Sequence, residues 1–545
     1  MVNSCDLLIR KIEATVLDQE HKKYAITRRP DDVAIPNLLR ALGGVDRVLS
    51  NTELSKEAFL KQRSFMQEVL SGVGHCLRWI SQEPTSPILL LDNLLPHVAG
   101  EARDLLSWGI EYARLAHDHA AWSRGNLNAS LDPDTKVISF DYRADFDHSF
   151  LISQAAGEER SSELFFQNFP YEDIQNGFRT WLRNFDPEPV IGRIGWRVDQ
   201  DEGCHLAISG WLDRAIWPEL PPETGLGAYT LGDFRRLYTT LFLIGQYCAW
   251  VEDYMDARYG VEGSPDSVIM SDTEQNMIDW LCEASGVARR SVRGILRDLL
   301  FDTSDFNSSL GNQPFAGSRS SRLFLLARLI PVLEPSRMLA GALSRGKGKP
   351  IYDALVQILE QSNLGRIEQS IRDLGFAVFR EKRISYDTGE IRPDLLVLDR
   401  RDGELLIIDY KHMLAPFSVS ETLGKLRVVE ESDEGVTQVH RYLRVLRNNP
   451  PLLDGKLVEP SRIYGLLLFG GPMPLPIKSD PIVSVIDWVS LRDILSKNSG
   501  TSIRDLVTYV RNRPDLSTDM GDWRQVYYDI KVEGWTYRHP IMACV

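Results

Sequence analysis

Before Ser344 most apolar residues recur three and four positions apart, the period of a helix with one buried face. AFLKQRSFMQEVLSGVGHCLRWI and LGDFRRLYTTLFLIGQYCAWVEDYM show the pattern best, and each predicts a long helix. Two shorter patches, TKVISFDY (Thr135 to Tyr142) and CHLAISGWL (Cys204 to Leu212), read as strands. Past SRGKGKP (Ser344 to Pro350) the pattern becomes mixed. A helix is predicted from Tyr352 to Leu374, with Leu364, Ile367, Ile371 and Leu374 as its stripe and Gly375 as its stop. Phe376 to Ile384 reads as a strand, and Ile391 to Leu398 pairs with Leu405 to Lys411 as a hairpin. A long loop, His412 to Gly435, acidic at EESDEG, leads into a helix from Val436 to Arg447. Strands at Ile463 to Gly470 and Ile482 to Asp487, then a short helix at LRDIL, complete the series.

The expected fold class is multidomain. A mainly α-helical N-terminal region with minor β spans residues 1–343, in one or two subdomains, and residues 344–350 form a linker. Residues 351–490 form an α/β domain whose central strands are covered on both faces, and residues 491–545 pack on it as an extension. The length of 545 residues and the 43% apolar content fit two or three soluble domains with ample core. Charge changes the picture little. The net −14 divides into −11 before residue 351 and −3 from there on, so the chain as a whole is a poor non-specific nucleic-acid binder. The near-neutral C-terminal part leaves room for a local basic groove. Six cysteines without paired spacing, and an N-terminus with no signal-peptide core, point to a reducing, cytoplasmic setting. The longest apolar stretch, Leu237 to Val251, is short and contains a glutamine, so it reads as a buried helix with no membrane partner.

The hairpin carries candidate chemistry. With Leu398 opposite Leu405, antiparallel register keeps the sum of paired residue numbers constant, and Asp394 falls opposite Asp409 on one face. Lys411, two residues on, shares that face. A slip of one residue would separate the acids. Two adjacent carboxylates repel, and burial raises their cost unless a cation compensates. A hard divalent ion, Mg2+ with Mn2+ as the alternative, suits oxygen ligands of this kind. Lys411 beside it would orient or help deprotonate a water and offset transition-state charge. The competing reading is a salt-bridged strand end without chemistry. Three features weigh against it: Glu368 bordering the apolar stripe of the preceding helix, Pro393 restricting the backbone before the first acid, and Gln438 and Tyr442 one turn apart in QVHRY.

This ordered set, Pro393-Asp394 followed by Asp409-Tyr410-Lys411 with Glu368 upstream, resembles the PD-(D/E)XK nuclease superfamily. The QxxxY pattern of Gln438 and Tyr442 is similar to its RecB-like branch, and the resemblance covers residues 350–490. It implies that Asp394 and Asp409 bind metal, that Glu368 completes or orients the metal site, and that the Tyr410 backbone carbonyl is a further ligand. It further implies that Lys411 acts on the nucleophilic water, and that Gln438 and Tyr442 position the lysine or the phosphate backbone. The expected activity is Mg2+-dependent phosphodiester hydrolysis of nucleic acid, DNA before RNA. The N-terminal region would then sense a ligand or protein partner, as in a restriction or antiphage-defence effector. The alternative is a catalytically inactive binding or scaffold protein on the same fold. Glu368 departs from the branch, where a histidine is common.

Arg441, with Arg444 and Arg447, continues the QVHRY helix and either meets phosphates or faces solvent. Arg380, Lys382 and Arg383 carry the same ambiguity, and His412 reads as a surface residue. The His117-Asp118-His119 run looks metal-like, yet on a helix its imidazoles point to different sides. The tryptophans before the linker read as core.

Overall fold

The computed structural model describes the chain except residues 1–3, 50–55, 83–95, 144–168, 185–201, 260–268, 346–347, 387–388, 414–418, 432, 454, 472, 474, 476, 478–479, 498–501, 513–522 and 545. It divides into two compact units. One comprises Arg10–Arg114 and Phe165–Ala354; the other comprises Met1–Ile9, Leu115–Leu164 and Leu355–Val545. The division differs from the expectation of an N-terminal region, in one or two subdomains, over residues 1–343. Leu115–Leu164, with strands β1 (Leu127–Asp132) and β2 (Val137–Tyr142), belongs to the second unit. The boundary falls at Ala354, inside the Lys349–Asp373 helix rather than in SRGKGKP.

The first unit is mainly helical. Helices Lys56–Gln82 and Leu231–Tyr259 coincide with the two periodic stretches. Gly72 and Gly109 mark a close helix crossing, since a Cβ on Gly109 would lie 2.7 Å from the Gly72 carbonyl. A small sheet, ordered β3 (Ile269–Thr273), β5 (Arg322–Leu326), β4 (Phe315–Gly317), completes the unit. Cys204 to Leu212 is not a strand; it lies in helix Glu202–Ala215. Ile208, Trp211 and Leu212 are buried and Leu206 is exposed, a burial pattern of period near 3.6 that the β-like composition masks.

The second unit holds a five-stranded sheet ordered β14-β13-β10-β9-β6. β6 is Ala377–Arg380, β7 Ile384–Tyr386, β8 Gly389–Ile391, β9 Leu395–Asp399 and β10 Glu404–Lys411. β11 (Leu452–Leu453) and β12 (Lys456–Leu457) form a small hairpin, followed by β13 (Ile463–Phe469) and β14 (Val483–Asp487). β10, β13 and β14 run parallel, while β9 and β6 are antiparallel additions. Both faces are covered. Leu406, Ile408 and Tyr410 share a core with Leu364, Ile367 and Ile371 of the Lys349–Asp373 helix and with Leu491 and Val507. Leu405 and Ile407 face Val439, Tyr442 and Leu443 of the Val436–Asn448 helix. Two-sided burial is why LLII and LLLF are unbroken apolar runs. The hairpin register matches the expectation, with Leu405 opposite Leu398 and Ile408 opposite Leu395.

Three other expectations change. Phe376 to Ile384 is not one strand, because Glu381 adopts a left-handed φ of +49° that ends β6 and starts the β7–β8 hairpin. His412 to Gly435 is not simply a loop. It contains helix Val419–Leu426 and a π-turn, Arg427–Glu431, whose Leu426 and Val429 are buried beneath the acidic surface. The C-terminal stretch does two things. Helix Ile503–Asn512 packs on the five-stranded sheet, while β15 (Trp523–Val532) and β16 (Trp535–Cys544) build a second sheet ordered β1-β2-β16-β15. Asp118 of the HDH run bonds His539 of β16 at 2.7 Å, so there it serves a packing contact. Among the described residues no helix is long and apolar enough to cross a membrane.

Candidate active site

The β9–β10 hairpin and its turn bury three acids, which differ in how they are satisfied. Asp399 (2% exposed) holds Arg401 through its amide and guanidinium, and Glu404 (4% exposed) accepts the Arg504 amide at the start of the Ile503–Asn512 helix. Burial pushes Asp399 up, but the bonds from Arg401 outweigh it and hold the carboxyl below its usual range. These two acids are structural. Asp409 (1% exposed) differs, since its buried Oδ2 accepts no well-aligned hydrogen bond and faces the Lys411 ammonium. Lys411 Nζ lies 3.1 Å from that oxygen, an ion pair without hydrogen-bond alignment. Burial, only partly opposed by Lys411 and reinforced by Asp394, pushes Asp409 up to about 7.

Asp394 sits immediately before β9, where the register puts it against the Asp409 end of β10. Its Oδ2 accepts the Tyr410 amide at 2.7 Å, and its carbonyl accepts the Glu381 amide at 2.9 Å. Burial raises its carboxyl above the usual range, against the Tyr410 bond and the Lys411 charge. Burial also opposes the charge of Lys411, yet Asp409 and Asp394 outweigh it, so the ammonium is held above its ordinary value. It is therefore a cation throughout the neutral range.

Gln438 and Tyr442 reach this lysine from the Val436–Asn448 helix. Lys411 donates to Gln438 Oε1 at 3.2 Å, Gln438 Nε2 donates to the Tyr442 hydroxyl at 2.5 Å, and that hydroxyl donates to the Arg392 carbonyl at 3.4 Å. The relay ties lysine, helix and the segment before Asp394 into one rigid unit, so both residues position the lysine. Arg441 is exposed, with its guanidinium 5.6 Å from the Tyr442 ring centre. Arg447 bonds the Ile463 carbonyl at the far end of β13, away from the acids. Tyr410 points its ring into the opposite core, so only its backbone belongs to the site.

The helix acid Glu368 has cationic partners of its own. Glu368 pairs with Arg372 at 2.5 Å and lies 3.9 Å from Arg380. Glu360, two turns earlier, is the one coupled to the site. Burial and then Asp394 raise its carboxyl, Lys411 opposes them, and Glu360 in turn acts on Asp409. Eight residues of helix separate the two glutamates by about 12 Å, so only one can serve this cluster. The signal was present in the sequence: Glu360 lies four residues before Leu364 on the stripe of Leu364, Ile367 and Ile371, whereas Glu368 lies at its margin. Glu434 acts on both Lys411 and Glu360. It is set there by Gly435, whose φ of +62° and whose missing Cβ, 2.6 Å from the Val429 carbonyl, admit no other residue without strain.

Among the described residues no three His, Cys, Asp or Glu side chains close around one point as a preformed cation cage. Asp394 and Asp409 are the two carboxylates of this strand end that could contribute oxygen ligands to a hard divalent ion. The buried Asp409 carboxylate, its carboxyl raised despite the neighbouring ammonium, fits such an ion. Comparison with family models, curated proteins and solved structures gives no match to this chain.

Proposed function

We propose that the chain is a metal-dependent nuclease of the PD-(D/E)XK kind, hydrolysing phosphodiester bonds of nucleic acid, DNA before RNA. One observation carries the reading: the hairpin register brings Asp394 to the strand end where the buried Asp409 carboxylate stands 3.1 Å from the Lys411 ammonium. Burying an acid whose carboxyl is raised in this way costs stability at neutral pH, a cost that a bound divalent ion would offset. Asp394 and Asp409 would hold a divalent ion, with Glu360 in the role first assigned to Glu368. Once bound, that ion supplies Lewis-acid polarisation of the phosphoryl oxygen and a more acidic water.

The chain's own residues do the rest. Lys411, already protonated, acts as a fixed positive charge that orients the water and offsets charge developing on phosphorus. Gln438 and Tyr442 keep its ammonium in place. Hydrolysis forms one P–O bond to water and breaks one P–O ester bond, and the water's proton ends on the leaving oxygen or in solvent. The helical unit suits a sensing role in a restriction or antiphage effector, by architectural analogy.

Wild-type protein incubated with Mg2+ or Mn2+ should cut single- or double-stranded DNA, and EDTA should stop it. Absence of metal-dependent cutting on every DNA and RNA offered would leave the scaffold reading standing. A second comparison separates the two glutamates. Glu360→Gln should lower the cleavage rate roughly 10–100-fold, the cost of losing a supporting ligand-shell group, while Glu368→Gln should stay within a few-fold of wild type. The reverse order would restore Glu368 to the site.

A further inference from the structure

Asp394, Asp409, Glu360 and Glu434 act electrostatically on Lys411 or on one another, a local charge balance that disfavours a phosphodiester. A polyanion needs a cation at the entrance. Arg392 stands two residues before Asp394 with 49% of its side chain exposed, and it is paired to the carboxylate of Glu381. Its backbone is fixed, because its carbonyl accepts the Tyr442 hydroxyl and the next residue, Pro393, is buried. Glu381 is held as tightly. It keeps a left-handed φ of +49°, donates its amide to the Asp394 carbonyl at 2.9 Å, and accepts Gln361 Nε2 at 3.0 Å. A non-glycine residue in that conformation is strained and persists where surrounding contacts over-determine it. Here those contacts converge on the candidate catalytic aspartate and on one guanidinium.

A planar carboxylate and a tetrahedral phosphodiester each offer a pair of anionic oxygens that a guanidinium can engage bidentately. We propose that Glu381 is a placeholder: in the free protein it occupies Arg392, and a backbone phosphate of the nucleic-acid strand takes its place when substrate enters. The proposal rests on the nuclease reading of the same site and names a substrate-contacting arginine beyond the acid–lysine set. Glu381 is not stranded by the exchange. It keeps Gln361 and remains in the field of Arg380, whose guanidinium bonds the Gln361 carbonyl at 2.8 Å. The pair would thus exclude stray anions and open only for a ligand that also engages the rest of the site.

The test is fluorescence anisotropy with a short fluorescein-labelled DNA, single-stranded and duplex, in EDTA across a salt series, so binding is read without cleavage. Arg392→Ala should weaken binding roughly 3–10-fold and flatten the slope of log K against log salt by about one phosphate contact. Arg392→Lys should restore most of that slope. Glu381→Gln should tighten binding about 3-fold or more, since it frees the guanidinium for phosphate. A pair that merely braces the β7–β8 hairpin predicts that both substitutions weaken binding, and a folding defect cannot produce opposite signs. The proposal falls if Arg392→Ala leaves Kd and slope unchanged, if Glu381→Gln weakens binding, or if wild type shows no measurable binding. Failure of the nuclease reading appears elsewhere, as DNA binding without metal-dependent cutting.

Discussion

Asp409→Asn should lower Mg2+-dependent cleavage on the order of 1,000-fold and, in the same variant, raise the metal-free melting temperature above neutral pH. The two effects share one cause. Burial pushes the Asp409 carboxyl from 3.8 up to about 7, so the folded state binds its proton more tightly than the unfolded chain does. The resulting stability is fully present below the unfolded value and is lost as pH rises through the folded one. Three pH units correspond to about 4 kcal/mol at most, and coupling to Lys411 and Asp394 makes about 2–3 kcal/mol the working figure. Asparagine carries no charge at any pH, so the loss disappears in the variant. In wild type a divalent ion should do the same by displacing the proton, and metal affinity should therefore rise through about pH 7. Thermal melts near pH 5 and near pH 8, with EDTA or Mg2+, check this beside a cleavage assay. Equal melting of variant and wild type at both pH values, or retained cleavage, would remove Asp409 from the centre of the site.

Lys411→Ala should lower cleavage by about 100- to 10,000-fold and move Asp409 in a defined direction. Lys411 is the leading charge opposing the rise of that carboxyl, so its removal should push the Asp409 titration higher. The pH at which Mg2+ begins to stabilise the fold should move up with it. Lys411→Arg should rescue the titration better than the rate. A guanidinium preserves charge, but it cannot sit at the point fixed 3.1 Å from Asp409 and 3.2 Å from Gln438. Normal cleavage by Lys411→Ala would show that the charge has no part in the reaction. A rate loss with an unmoved pH profile would mean that Lys411 acts apart from Asp409.

The parts that were legible in the sequence are those governed by local rules. Period two within a hairpin puts Asp394, Asp409 and Lys411 on one face once Leu398 meets Leu405, and the observed register is the one that does so. The QVHRY helix and the two parallel strands likewise follow from their own periodicity. Other features depended on groups distant in the chain. The pairing of β2 with β16 joins residues roughly 400 positions apart, and nothing within either strand specifies it. Glu381 carries no sequence mark of its left-handed backbone, because its amide, carboxylate and neighbours are held by Asp394, Gln361 and Arg392.

The helix acid shows the division most clearly. Helical spacing identifies a stripe and the acids near it, so periodicity alone puts a glutamate on the face toward the sheet. Which glutamate meets the strand ends depends on how far the helix has slid along its axis. Packing of Leu364, Ile367 and Ile371 against Leu406, Ile408 and Tyr410 decides that. At about 1.5 Å per residue, this docking puts Glu360 within electrostatic reach of Asp394 and Asp409 and leaves Glu368 to Arg372.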